Sequence, residues 1–472
     1  MLRSLFMSMV YFGFLGLGVG APFIIALGYV WVDAFRPQDV AYVILDRFPV
    51  AMIMGGAAIG SYVLLDRRYP PRWNAISAMQ ITMAIWITVT MVWSVAGAFG
   101  WTKWDWAFKT VVFSAFIPLV IRSRIQIEAF VQVYLMSLAG TFIPYGLKVM
   151  ISGGGYGRDL GLVGGNSGLS EGGLLSTACL MAIPLALFLA SHTQLAPRWK
   201  ITPFGYWGVA ALALATAIGT HQRSALVGLI AMAGVLMLRG KHKFLLILVG
   251  AAVAAILVYF MADSWINRIS TIDDYKTESS AAIRILVWKW TLEFVKSYPL
   301  GGGFHSYIIN QITLPGEGGA MQFGRAFHSI YFEMLGEHGW PGLFLFLSIA
   351  GMVLLQTFNI SRRTAKIPEL EWCAGLAVAI QSGMAAFLTA GAFVGIAFQP
   401  MFWYFVAMTV CLRSYVWRCE HQSAAAPSGW RTTAQVNLAA KEDGTASGGW
   451  RPPVAAKTPT RDPRLRGRAP TA

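Results

Sequence analysis

The sequence predicts an all-α, polytopic integral membrane protein with about twelve transmembrane helices and a large outer loop carrying an amphipathic helix. Three observations predict it. Of the 472 residues, 56% are hydrophobic and only 12% charged, where a soluble domain holds about 25% charged residues; the mean hydropathy is +0.56. Uncharged runs of roughly 17–25 residues, the length that spans hydrocarbon, recur through most of the chain. The basic clusters fall in alternate loops between those runs, the pattern expected when Lys and Arg stay on the cytoplasmic side.

Taken in order, the apolar runs cover about 4–32, 48–65, 76–99, 107–121, 127–150, 174–191, 203–219, 224–238, 244–262, 341–359, 372–396 and 400–416. The first is too long for a signal-peptide core and no A-x-A site closes it. It reads as one span, or as two short helices broken at Gly20-Ala21-Pro22. The inside loops are marked by Arg67-Arg68 with Arg72, Arg122 with Arg124, Arg198 with Lys200, Arg239 with Lys241 and Lys243, and Arg362-Arg363 with Lys366. All five agree on one topology with both termini inside. The outer side then receives a glycine-rich loop from Ser152 to Glu171 and a larger loop over 263–340. Residues 1–416 form the transmembrane core. The tail, 417–472, is rich in Ala, Pro, Gly and Arg and has almost no large aliphatics. Such a segment cannot bury enough apolar surface to fold, so a disordered, basic, cytoplasmic tail is expected. The formal net charge of +15 is accounted for by the inside loops and this tail, and nucleic-acid binding is not indicated. The four cysteines show no CxxC spacing, which argues against a disulfide framework or a zinc site.

Three places hold residues suited to chemistry, and all three fall on the outer side. In the turn Thr220-His221-Gln222-Arg223-Ser224, Arg223 opens the following helix. A cation there opposes the helix dipole and makes sense beside an anion such as phosphate; it reads equally as an arginine snorkelling to the interface. Residues Ser279 to Pro299 have the pattern of an amphipathic surface helix. Ile283, Leu286, Val287, Trp290 and Phe294 form its apolar face, Lys289, Glu293 and Lys296 its polar one, and Arg284 stands near its start. The third place is the run from Phe323 to Gly342, where His328, Glu333, Glu337 and His338 crowd the approach to a span. Imidazole is a suitable general base near neutral pH, although a histidine at an interface is commonly structural. The His and Glu spacing matches no standard metal motif. The spans lack Asp, Glu or His at their centres, which disfavours an ion-coupled transporter.

At these residues the chain resembles the O-antigen ligase superfamily of bacterial membrane glycan transferases. Its pattern of His, then Asn, Ser or Gln, nine residues, Gly, two residues and Gly, Thr or Tyr is met by His328, Ser329, Gly339 and Gly342. Its first outer arginine is matched by Arg223, and its second, ahead of a Trp-containing amphipathic helix and a Pro-x-x-Gly turn, by Arg284, Trp288 and Pro299 to Gly303. Within the superfamily the chain is most similar to the O-glycosylation ligases of exosortase A systems, through Phe35-Arg36-Pro37, Ser270 to Tyr275, Pro299 to Phe304 and His328 to Gly339.

The resemblance implies a metal-independent, cofactor-free, inverting transferase of the bacterial inner membrane, with its active site facing the periplasm. The donor would be a glycan on undecaprenyl pyrophosphate, and the acceptor a hydroxyl on a lipid A–core sugar, a protein or another glycan. His328 would be the general base and Arg223 and Arg284 the pyrophosphate clamp. Arg158, Arg325, Glu333 and His338 join the two arginines as candidate substrate-binding residues. A lipid-linked oligosaccharide polymerase differs only in acceptor. A flippase or exporter of lipid-linked glycan also wants outer arginines but has no use for a base.

Overall fold

The computed structural model describes residues 2–41, 44–66, 68, 73–151, 169, 171–197, 199–239, 279–313 and 321–421. The expected span over 244–262, the tail after residue 421, Arg158, Lys241 and the Ser270 to Tyr275 motif lie outside them.

The described residues are all-α but for one small ribbon. Helices α1 (Leu2–Gly18), α2 (Pro22–Phe35), α3 (Val50–Leu65), α4 (Ala75–Val89), α5 (Ala98–Val120), α6 (Arg124–Ile151) and α7 (Gly172–His192) come first. They are followed by α8 (Thr202–Gly219), α9 (Arg223–Arg239), α10 (Ser279–Ser297), α11 (Ile330–Thr364), α12 (Glu371–Ala390) and α13 (Pro400–His421). The ribbon pairs β1 (Gln311–Thr313) antiparallel to β2 (Met321–Phe323), with Ile312 opposite Gln322. Through Arg418 the chain forms one unit.

Among the described residues, six helical stretches are long and apolar enough to cross a membrane: Ala75–Trp93, Arg124–Ile151, Gly172–His192, Thr202–Gly219, Ile330–Thr364 and Pro368–Phe393. Helices α1 to α3 are apolar but shorter. Large apolar side chains such as Leu64, Ile230 and Phe344 are exposed on outward faces, as suits helices whose solvent is lipid. Helix α7 is central. It packs on α6, α8, α9 and α12, and 94% of its apolar window is buried.

The long first run is a helix pair. Pro22 at the first position of α2 pre-sets its φ, and a side chain at Gly18 would strike Ile25. Helix α5 begins well before the expected 107, because Lys103, Asp105 and Lys109 are helical. Lys109 pairs with Asp105 at 2.7 Å, one turn away on the exposed side. Helix α11 likewise starts at Ile330 and not near 341. It kinks at Gly339, whose φ is 65°, and Pro341 cannot donate a backbone bond there. The freed carbonyls of Gly336 and Glu337 accept from the N–H groups of Gly302 and Gly303, at 3.0 and 2.8 Å. Glycine is required at both sides of this contact: a side chain on Gly301 would meet the Gly339 nitrogen at 2.4 Å, and one on Gly339 the Pro299 oxygen at 2.2 Å.

The bundle has two chemically different ends. Helix α5, about 35 Å long from its 23 residues, runs from Lys103 at one end to Val120 at the other. At the Val120 end Arg68 donates to the Val120 carbonyl at 2.9 Å, Arg122 to Leu119 at 2.9 Å and Arg418 to Arg122 at 2.5 Å. Arg124 lies over the Trp372 ring, and Arg239 and Arg362 over Phe358. The basic loop residues thus collect at one end, and the candidate site residues at the other.

Candidate active site

The site grows from two carboxylates one turn apart. Glu333 and Glu337 share a face of α11 through their i,i+4 spacing, and α5 aims Lys103 between them. Its Nζ donates to Glu333 Oε1 at 2.5 Å and to both Glu337 oxygens at 2.8 Å. All three side chains are buried. The remaining acceptor capacity is filled by backbone: Ala397 N–H donates to Glu333 Oε2 at 3.0 Å and His305 N–H to Glu337 Oε1 at 3.0 Å. The ammonium also faces the Phe304 and Phe398 rings, at 5.5 and 5.8 Å, a favourable cation–π arrangement. One network therefore joins α5, the segment before Ser306, α11 and the segment before α13.

Above it lies a cavity of ≈ 220 Å³. Lys103, Glu333 and Glu337 form part of its wall, with His305, His328 and Glu171. Tyr307, Trp106 and Phe398 add aromatic surface, and Gln399 a further polar group.

His328 reaches this cavity because its neighbours are pinned. Phe327 is buried with Val287 and Ile312, and its carbonyl accepts from Trp288 Nε1 at 2.9 Å. Trp288 stacks on Phe332 at 5.0 Å. That fastening lays α10 beside the His328 segment, and Arg284, one turn before Trp288, falls on the same side. On the other flank the Asn310 amide holds the Arg325 backbone through bonds of 2.9 and 2.7 Å. His328 itself is half-buried with a left-handed φ of 48°. Burial lowers its pKa from the ordinary 6.5, and the Arg284 and Arg325 charges push the same way against a partial offset from Glu171 and Glu333. The shift favours the uncharged imidazole, the form able to accept a proton. His305, also left-handed with φ 58°, is pushed down to about 4 by burial and the Lys103 charge. Burial raises the Tyr307 phenol.

The other candidate residues are distributed as follows. Arg223 opens α9 and is half-buried. Its turn meets the start of α7, where a side chain on Gly172 would touch Gln222 at 3.0 Å, next to Glu171; Arg223 is outside the cavity lining. Arg325 is exposed at the rim. Glu333 lines the cavity from within its ion pair. His338 does not line it. It is fully buried, its Nδ1 2.9 Å from the Thr90 hydroxyl and its ring against Phe304 and Phe398. Trp86 donates to its carbonyl at 2.9 Å, and a side chain on Gly342 would collide with it at 2.3 Å. The two glycines of the motif thus have separate jobs, the kink at 339 and room for His338 at 342. Among the described residues no group of three or more His, Cys, Asp or Glu is placed to hold a metal ion.

Residues 208–347 match the O-antigen ligase family. This ligase match contains Arg223, Arg284, Arg325, His328 and both network glutamates. A second match, to a family of unknown function (DUF5935), covers residues 2–194 and contains Lys103, Trp106 and Glu171. The cavity is therefore built jointly by the ligase match, the DUF5935 match and the segment around Gln399. No curated protein matches the chain.

Sequence reasoning missed Lys103, Glu171, His305 and Gln399. Lys103 carried a signal: a lysine between tryptophans at the edge of an apolar run is costly unless paired, and Glu333 and Glu337 one turn apart were its natural partners.

Proposed function

We propose that the chain is a glycan ligase of the O-antigen ligase type, moving a glycan from undecaprenyl pyrophosphate to a hydroxyl acceptor. The observation that carries this reading is the place of His328 in the cavity wall, with Arg284 on the helix fastened beside it through Trp288 and Arg325 three residues before it, all inside the ligase match. The acceptor oxygen forms a bond to the anomeric carbon, and the bond from that carbon to the pyrophosphate oxygen breaks with its electron pair. The acceptor proton passes to His328. Charge building on the leaving pyrophosphate is stabilised by Arg284 and Arg223, more in the transition state than in the ground state. Direct attack inverts the anomeric centre.

The basic end of the bundle faces the cytoplasm in this reading and the cavity end faces the periplasm of a bacterial inner membrane, with 244–262 completing twelve spans. Support comes from the gathering of the arginines at one end of α5. Within that type, the motifs at Pro299 to Phe304 and His328 to Gly339 favour the O-glycosylation ligases of exosortase A systems. The deciding experiment is reconstitution in liposomes with a lipid-linked donor and a panel of lipid A–core, protein and oligosaccharide acceptors, in EDTA, read by mass spectrometry. Transfer to a hydroxyl acceptor is expected. Growth of glycan on the lipid carrier would mean a polymerase, and no transfer to any acceptor would overturn the reading.

A further inference from the structure

We infer that the cavity between His305 and His328 is the acceptor subsite: it takes one sugar ring of the acceptor, and His305 fixes that ring's orientation. This rests on the ligase reading above and says which reactant occupies which side.

Charge divides the two sides. Among the described residues, three carboxylates, Glu171, Glu333 and Glu337, and one ammonium, Lys103, line the cavity, and no arginine does. A pyrophosphate would be repelled there. The arginines that suit it, Arg223, Arg284 and Arg325, all lie outside the lining. Inversion needs nucleophile and leaving group on opposite faces of the anomeric carbon, so a pyrophosphate held by the arginines leaves the carboxylate side for the acceptor.

Size and surface agree. At ≈ 220 Å³ the cavity is smaller than the roughly 300–1,000 Å³ that encloses a drug-sized ligand, and it suits one ring. Its wall alternates aromatic faces, from Trp106, Tyr307 and Phe398, with hydroxyl-binding groups, from Glu171 and Gln399. A pyranose presents the matching pattern of C–H faces and equatorial hydroxyls.

His305 is built to make one of those contacts. Its ring is clamped on Phe99 at 4.4 Å and meets Tyr307 edge-on. Its backbone is tied to Glu337, and its left-handed φ is a strain that persists only when the surroundings enforce it. Yet Nδ1 is buried and, among the described residues, has no hydrogen-bond partner, a state that ordinarily costs stability. A sugar hydroxyl completes it.

The test uses the full chain in detergent and methyl hexosides as probes, followed by saturation-transfer NMR. Two variants separate the side chain from the space. His305→Ala removes the ring, with His305→Asn as the variant that tolerates the backbone and keeps a polar group. Gly395→Val fills the cavity, since a Cβ there makes only ordinary contacts, 3.5 Å from Glu333. Wild-type protein should bind a hexoside. Binding should weaken about tenfold in His305→Ala, the loss of one buried hydrogen bond, recover partly in His305→Asn, and vanish in Gly395→Val. Binding of a polyprenyl pyrophosphate should be unchanged in all three. In the transfer assay the hexoside should compete with acceptor and not with donor. The inference is overturned if wild type binds no hexoside, if either His305→Ala or Gly395→Val binds it normally, or if Gly395→Val loses the pyrophosphate lipid while keeping the sugar. Wild-type protein that binds hexoside but transfers no glycan would sink the ligase reading and leave the sugar site standing.

Discussion

The two ends of helix α5 use charge in opposite ways. Around Val120 the arginines serve the backbone: Arg68 and Arg122 donate to carbonyls of the last turn of α5, where the helix dipole favours a cation, and Arg418 donates to the Arg122 carbonyl in the turn that follows. Arg68 is also paired with its neighbour Asp66. Around Lys103 the charged groups satisfy one another and surround an open space. All four non-glycine residues with positive φ, among those described, are Arg36, His221, His305 and His328. Two of them line the cavity and His221 sits in the Arg223 turn. The difference teaches where to look for work. A polar group that completes a helix is structural, whereas polar groups held in strained positions around a space are held for something that enters it.

The largest expected effect is at the network. Lys103→Met leaves two carboxylates buried without their cation, and removing one partner of a buried ion pair costs about 3–5 kcal/mol. A thermal melt in detergent should show a large loss. A variant as stable as wild type would mean that the network is not what joins α5 to α11.

His328 and His338 sharpen the comparison within ten residues of sequence. His328→Ala should lower single-turnover rate by roughly 10²–10⁴-fold, the usual weight of general-base catalysis, with donor binding and melting temperature kept. His338→Ala should do the reverse, losing about 2–4 kcal/mol through its cavity and its Thr90 bond while the folded fraction turns over. Exchange of the two phenotypes would reverse the assignment.

A smaller effect belongs to Arg284. Arg284→Ala should weaken both donor binding and turnover, and Arg284→Lys should restore only part, because an ammonium lacks the planar fork that fits a phosphate. Full rescue by lysine would reduce the contact to simple charge.

The pH dependence follows from the sign of the His328 shift. Its pKa is lowered, so the base form is favoured at pH 7, and kcat/KM should fall as pH drops through a midpoint below 6.5. Stability should fall in the same direction. Unfolded chains bind a proton at His305 near 6.5 and the folded site near 4, so that contribution is lost as pH falls across this window. An acidic limb centred above 6.5 would contradict the burial of His328. The smallest effect is expected at the other end: Arg418→Ala should cost at most about 1 kcal/mol and leave transfer untouched.

Much of this architecture was legible in the sequence because helical periodicity and loop charge are local properties. The amphipathic helix over 279–297 has the expected face, with Val287 and Phe294 buried and Lys289, Glu293 and Lys296 exposed. What failed was pairing over distance. Lys103 looked like a loop residue because its counter-charges lie 230 and 234 positions away. The start of α11 was read too late because Glu333, Glu337 and His338 look like loop polarity until a cation and a threonine are supplied by α5 and by the turn after α4. The separate placement of His328 and His338 depended on the left-handed backbone at 328, which residue identity does not announce.

The shared construction of the cavity bears on any attempt to recombine such proteins. A graft of residues 208–347 into a foreign N-terminal half would carry Glu333 and Glu337 inward and leave the Lys103 ammonium that joins them behind. The transplant would succeed or fail on one lysine near the start of α5, and a recipient with a neutral residue there should be repaired by restoring lysine alone. The cavity wall would then be a mosaic of both parents, since His305, Tyr307 and His328 travel with the graft while Trp106 and Glu171 stay with the host. A chimera of this kind would change one part of the cavity wall, Trp106 and Glu171, while leaving the His305 and His328 part in place.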